Sequence, residues 1–326
     1  HRDLHSFPTR RSSDLPALIE AVDGAKAVGQ PVTAEIVERI PVDRRIAVTV
    51  SRLADRRIGG GRPAILVILR DLSEQDRLDQ MRADFVANAS HELRTPLASL
   101  LGFVETLQGP ARNDAAARDR FLGLMAVQAT RMTRLVDDLL SLSRLEMRAH
   151  LPPRNVVDLA EVVSFVQQTL EPLAATAGIT VSVSAPDGPL RIRGDRDEIV
   201  QVVQNLMQNA LKYGRVGGTV SVTLERETEG GVPRLALSVI DDGPGIAPEH
   251  LPRLTERFYR VNVASSREKG GTGLGLAIVK HVLLRHGGEL RIASEPGVGS
   301  RFVVLLDELG PPARPPSDHN SANSIS

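Results

Sequence analysis

Residues 85–101, FVANASHELRTPLASLL, decide how the rest of the chain is read. His91 is followed directly by Glu92, and Arg94, Thr95 and Pro96 come close behind. The apolar residues Leu93, Leu97, Leu100, Val104 and Leu107 recur at spacings of 4, 3, 4 and 3, the seam of a helix that packs on another helix. At about 100° per residue, His91 falls about 200° from Leu93, on the side away from that seam. Thr95, four residues on, shares the face of His91. Such a helix buries leucines and holds an imidazole, a hydroxyl and a guanidinium toward water; a core histidine would not point that way. Pro96 removes one backbone hydrogen bond and crowds the preceding turn, so a kink is expected beside the histidine.

The flanking residues extend this helix from about Ser73 to Gln108, where GPARND supplies the breakers. A second helix is expected from a cap near Asp114 to about Arg148. Its seam is Phe121, Met125, Gln128, Met132, Leu135, Leu139 and Leu142, widened by Leu124 and Leu145. Two such helices with a short loop pack antiparallel. A lone pair leaves apolar surface open, so residues 73–150 are expected to pair with a second copy as a dimeric four-helix bundle.

Composition narrows the function classes. The 326 residues allow two or three domains. Lys plus Arg number 40 and Asp plus Glu 40, so no global field favours nucleic acid or an anionic membrane. Cysteine is absent, which removes disulfides and thiolate metal sites and suits a reducing compartment. Tryptophan is absent too, so Leu, Val and Ala must fill the cores. No apolar run approaches the roughly 18–20 residues needed to cross a bilayer, and any membrane anchor is expected outside this chain.

Upstream, residues 1–15 lack periodicity and resemble the translated adapter of a sequencing library, so they are expected to be non-native. Residues 16–72 read as a helix (LPALIEAVDGAKAVG) and three strands (VTAEIVERI, RRIAVTVSRL, PAILVILRDL), the last two a hairpin across RRIGGGRP. Three strands are an incomplete sheet. Downstream, after HLPPRN, residues 156–307 mix helical stretches with strands, an α+β pattern. Residues 308–326 are rich in Pro, Ser and Asn and are expected to be disordered.

Four segments of 156–307 carry chemistry. In QNLMQNALKYG, Asn205 and Asn209 share a helix face, with Lys212 and Tyr213 beyond. In VIDDGPGI a strand ends at Asp241 and runs into Gly243 and Gly245, which permit a turn and a close ligand approach. RLTERFYRV is the third. In GGTGLGLAIVK, Gly271, Gly273 and Gly275 open a helix whose free N–H groups attract phosphate. This last is neither a dinucleotide fingerprint nor a Walker loop.

SHELRTPL resembles the phospho-acceptor box of the sensor histidine kinases of two-component systems. The four segments, in this order, resemble the N, G1, F and G2 boxes of their ATP-binding domain, an α+β sandwich shared with gyrase and the heat-shock chaperone ATPases. Helix, strands and the RD dipeptide over 16–72 resemble the carboxyl-terminal half of a PAS domain, and this order most resembles the phosphate-regulon branch of the family. The resemblance implies a multi-domain sensor kinase using ATP and Mg²⁺. His91 would be the phospho-acceptor, Glu92 its general base, and Thr95 a residue for dephosphorylating the partner. Asn209 would hold Mg²⁺, with Asn205 supporting the phosphates, Lys212 meeting phosphate oxygens and Tyr213 packing on the nucleotide. Asp241 would read the adenine amino group, next to the Gly243 and Gly245 turn. Arg257 would approach the phosphates, and Gly271, Gly273, Leu274 and Gly275 would cradle them. The polar stretch from Val261 to Gly270 would be a mobile lid.

Partners implied are a second copy and the receiver domain of a response regulator, with no nucleic acid. The chain would be the cytoplasmic portion of a bacterial inner-membrane sensor. ATPases of this fold carry a glutamate base one turn before the metal-binding asparagine, where this chain has Asn205. An amide cannot take a proton from water, so transfer to His91 is expected over hydrolysis. The rival readings are an ATPase of the same fold and a silent dimeric scaffold.

Overall fold

A computed structural model describes residues 15–28, 30–38, 44–53, 64–262, 266 and 270–310. The expected non-native start (apart from Leu15), most of the lid and most of the expected disordered tail lie outside them. The described chain forms two compact units, one up to Ser90 and one from His91.

In the first unit, α1 (Leu15–Val28) precedes strands β1 (Val32–Glu38), β2 (Arg44–Leu53) and β3 (Ala64–Asp71). The sheet is antiparallel in the order β1-β2-β3, with Val32 opposite Val50 and Ile46 opposite Asp71. Alternation puts Val48 and Val50 on one face, where Ala21 and Ala25 of α1 let the helix come close; Leu18, Val32, Ile36 and Ile65 close this small core. The Asp71 carboxylate accepts from the Ser73 N–H at 2.8 Å and so starts α2 (Ser73–Gln108).

In the second unit, α2 and α3 (Ala115–Arg148) form the hairpin. Asp114 caps α3, its side chain accepting from the Ala117 N–H at 2.9 Å. Across the hairpin the Phe103 and Phe121 rings lie 5.6 Å apart. The helix assignment runs unbroken through the expected kink, with Pro96 buried. Of the expected seam, Leu135, Leu142 and Leu145 are buried and Leu97 is about half exposed; outside it, Leu101, Leu122 and Leu140 are about half exposed too.

The rest of this unit is α+β, as the pattern predicts. A five-stranded sheet runs β5-β7-β8-β10-β9, from β5 (Thr180–Ser184), β7 (Thr219–Glu229), β8 (Val232–Asp241), β9 (Glu289–Glu295) and β10 (Gly299–Asp307). Only the β5–β7 pairing is parallel. Helices α4 (Leu159–Ala177), α5 (Arg196–Tyr213) and α6 (Gly275–Arg285) supply the opposite layer. Val163 and Val166, Leu206 and Met207, and Ile278 and Val282 are buried on the helices, and Val222, Leu237 and Val304 on the strands. In a short pair, β6 (Arg191–Arg193) falls in LRIRG, a stretch whose pattern reads as strand, whereas its partner β4 (Val156–Asp158) and a 3₁₀ turn at Pro248–Arg253 were not foreseen. Three residues of strand are too few for periodicity to register.

His286, just past α6, ties this layer together. Its Nδ1 meets the Val282 carbonyl at 2.8 Å, so Nδ1 carries the proton, and Nε2 accepts from the Asp195 N–H at 3.1 Å. Both bonds require the neutral ring, and burial pushes its pKa below the ordinary value. A folded pKa below the unfolded one means stability is complete above about pH 6.5 and is lost as pH falls below it. Denaturant midpoints should therefore be level above about pH 7 and fall as pH drops below about 6.5. His281, also pushed down by burial, adds to the loss, and His286→Gln should show a shallower fall than wild type.

Candidate active site

A cavity of about 540 Å³ opens where α5, the end of β8, the residues before α6 and one face of α3 converge. Helix α5 reaches it because its sides differ. Val202, Val203, Leu206 and Met207 are buried in the core, and Asn205, Asn209, Lys212 and Tyr213 line the cavity. Asn205 Nδ2 is buried without a hydrogen-bond partner, a donor aimed where a ligand acceptor would satisfy it. Lys212 has its pKa pushed down by burial and then by the nearby Arg134.

Asp241 lies at the carboxyl end of β8 and is 7% exposed. Its Oδ1 accepts from the Gly243 N–H at 3.0 Å, and burial raises its pKa. Gly245 has φ +68°, and a Cβ there would overlap the Glu295 carbonyl. Gly273 has φ +75°, and its Cβ would fall 2.8 Å from Phe258 Cα. Phe258 itself has φ +64°, costly for a bulky residue, with its N–H donating to the Gly273 carbonyl at 2.8 Å. The two loops therefore fit together only if residue 273 has no side chain.

Gly271, Gly273 and Gly275 line the cavity; Gly243 and the fully buried Leu274 stand behind the wall and shape it. Arg257 departs from the expectation: it does not line the cavity, and its guanidinium pairs with Glu146 of α3. Arg260 takes the wall position instead. Its side chain is 4% exposed. Nη2 donates to Glu92 Oε2 at 2.9 Å and to the Thr272 carbonyl at 2.7 Å, while Nε is buried without a partner. Both arginines stand in RLTERFYRV, and with no helix or strand there the spacing does not say which one turns inward. Sequence reasoning also missed Thr272, between two of the expected glycines, and Arg134 and Asp138, which join the site through the packing of α3.

On α2, His91 is exposed, as its angular position predicts, and Thr95 is exposed with its hydroxyl donating to the His91 carbonyl at 3.2 Å. Glu92 is 14% exposed and accepts from both Arg131, at 3.1 Å, and Arg260. The residue next to the histidine is thus bonded to the wall of the cavity. Tyr213 holds Ser266 of the expected lid, hydroxyl to hydroxyl at 3.1 Å.

Residues 194–310 match the family of histidine kinase-, DNA gyrase B- and HSP90-like ATPases, and residues 81–148 match the His Kinase A (phospho-acceptor) domain. The phosphate regulon sensor protein PhoR of Pseudomonas aeruginosa is 40% identical over 238 residues, 73% of this chain and 53% of that protein. The sensor-like histidine kinase SenX3 of Mycolicibacterium smegmatis is 38% identical over 247 residues, 76% of this chain and 63% of that one. Among solved structures, the histidine kinase AdeS of Acinetobacter baumannii superimposes with a TM-score of 0.52 at 26% identity, over 67% of this chain and 97% of that chain. The chain belongs to the sensor histidine kinases. It spans between about half and two thirds of the length of these two curated relatives.

Two substitutions test the cavity. Asp241→Ala removes the only carboxylate at its β8 end and should weaken adenine-nucleotide binding about tenfold or more by calorimetry. Gly273→Ala forces a Cβ into the Phe258 backbone and should abolish binding while leaving the distant sheet folded by circular dichroism.

Proposed function

We propose that this chain transfers the γ-phosphoryl group of ATP to His91 and then to an aspartate on a response regulator. The observation that carries the reading is the Arg260–Glu92 pair, which joins the helix of the exposed histidine to the wall of the cavity. The cavity fits a nucleotide: Asp241 would accept from an amino group, glycines allow close phosphate approach, and the unpartnered Asn205 Nδ2 and Arg260 Nε offer donors. Asn209, on the same helix face as Asn205, would hold Mg²⁺, which offsets charge on the phosphate oxygens. The absence of a carboxylate at Asn205 favours a protein nucleophile over water.

Neutral imidazole is a nucleophile near neutral pH. The His91 nitrogen forms a bond to the γ-phosphorus as the bond to the ADP oxygen breaks, and the other ring nitrogen gives its proton to Glu92. That role requires Arg131 and Arg260 to release the carboxylate. Lys212, Arg260 and the N–H groups ahead of α6 steady the charge that develops on the phosphates. The phosphoramidate product is a good donor to a carboxylate. Thr95, one turn from His91, would position water for the reverse task of dephosphorylating the regulator.

A second copy would cover the half-exposed Leu97, Leu101, Leu122 and Leu140. Among the described residues no helix is long and apolar enough to cross a membrane. An inner-membrane location would therefore rest on a segment outside them. Residues 16–72 keep their reading as part of a PAS-like sensor.

Incubation with γ-labelled ATP tests the reading. Wild type should take up acid-labile label and His91→Gln none, and label persisting on His91→Gln would sink it. Thr95→Ala should keep autophosphorylation and lose regulator dephosphorylation about tenfold or more, scored on a phosphorylated receiver domain.

A further inference from the structure

Helix α3 puts a carboxylate into the nucleotide cavity. Asp138 Oδ2 accepts a hydrogen bond from Thr272 Oγ1 at 2.7 Å. Thr272 stands between Gly271 and Gly273 in the stretch that opens α6, and its Oγ1 also accepts from the Leu274 N–H at 3.3 Å. Asp138 and Lys212 both line the cavity, and the fields of Lys212 and Arg134 fall on the carboxylate. Both groups are largely buried, which raises the pKa of one and lowers that of the other. An acceptor-only anion held at a glycine-rich helix start and faced by a lysine has the chemistry of a phosphate oxygen.

We propose that Asp138 is an internal phosphate mimic. With the catalytic domain docked on α3, its carboxylate occupies the phosphate end of the cavity, and a nucleotide must displace it. The inference rests on the nucleotide reading of the cavity and adds a regulation to it.

Displacement reaches the histidine through one residue. Thr272 bonds Asp138 through its hydroxyl and Arg260 through its carbonyl, and Arg260 also holds Glu92. A phosphate that pulls Thr272 off Asp138 disturbs the Arg260 bond and loosens its grip on Glu92. The docked state is then self-restrained twice over, with the phosphate position filled and the base beside His91 engaged. Filling the cavity with nucleotide relieves both restraints.

Asp137 provides the control, because it lines the same cavity with an exposed side chain while the bond to Thr272 belongs to its neighbour. ADP and adenosine are titrated calorimetrically, with Mg²⁺ present, into wild type, Asp138→Asn and Asp137→Asn of the whole chain. Asp138→Asn should bind ADP about three- to tenfold more tightly than wild type, with adenosine affinity unchanged and Asp137→Asn within about twofold of wild type. Amide exchange along the carboxyl-terminal half of α3 should rise in wild type when ADP is added, and should already be raised in Asp138→Asn without it. Equal tightening by the two variants would mean a general charge effect and would overturn the mimic. Weaker ADP binding by Asp138→Asn would make the carboxylate a nucleotide or metal contact and overturn it equally. If neither ADP nor adenosine binds any of the three proteins, the nucleotide reading of the cavity is what fails.

Discussion

Arg260 carries a charge that almost no water reaches, so protein acceptors must meet it. Glu92 and the Thr272 carbonyl do so. The consequences run in two directions. Toward α2, the bond immobilises the carboxylate beside His91. Toward α6, it fixes the turn of the glycine-rich stretch, whose hydroxyl then reaches Asp138 on α3. Five residues on four segments form one hydrogen-bonded run, Arg131, Glu92, Arg260, Thr272 and Asp138, with the Thr272 carbonyl as one of its links. Cutting any link leaves a buried or half-buried polar group unmatched, so the run behaves as a unit.

That unit gives the proposed chemistry its discipline. A kinase that keeps ATP for a histidine must avoid giving the phosphoryl group to water, and an amide at Asn205 removes the base that would activate water. It must also avoid transfer out of turn. A base bonded to two guanidiniums is poorly placed to take a proton from its neighbour, so the docked arrangement suits waiting rather than catalysis.

Much of this was legible in residue order. The 4-3 spacing located both hairpin helices, and Asp114 as a cap set the start of α3. The angular offset of His91 from Leu93 placed it in water. Four-residue spacing put Asn205 and Asn209 on one face because α5 buries its other side, and the glycines marked where backbone had to pass backbone, as at Gly273 against Phe258. Periodicity failed where there was none. Between Leu254 and Asn262 no helix or strand runs to orient side chains, and Arg257 and Arg260 were indistinguishable there. The three-residue β4 escaped for the same reason.

The sequence by itself determined the local elements, the exposed histidine and many of the residue types that line the cavity, because helical and strand periods and the sterics of glycine act over a few residues. Only the tertiary structure decided which arginine faces the cavity, that Glu92 is engaged, and that Asp138 reaches Thr272. Asp138 and Thr272 are 134 positions apart in the chain. No local period connects such positions, and their meeting depends on how α3 packs against the layer that carries α6.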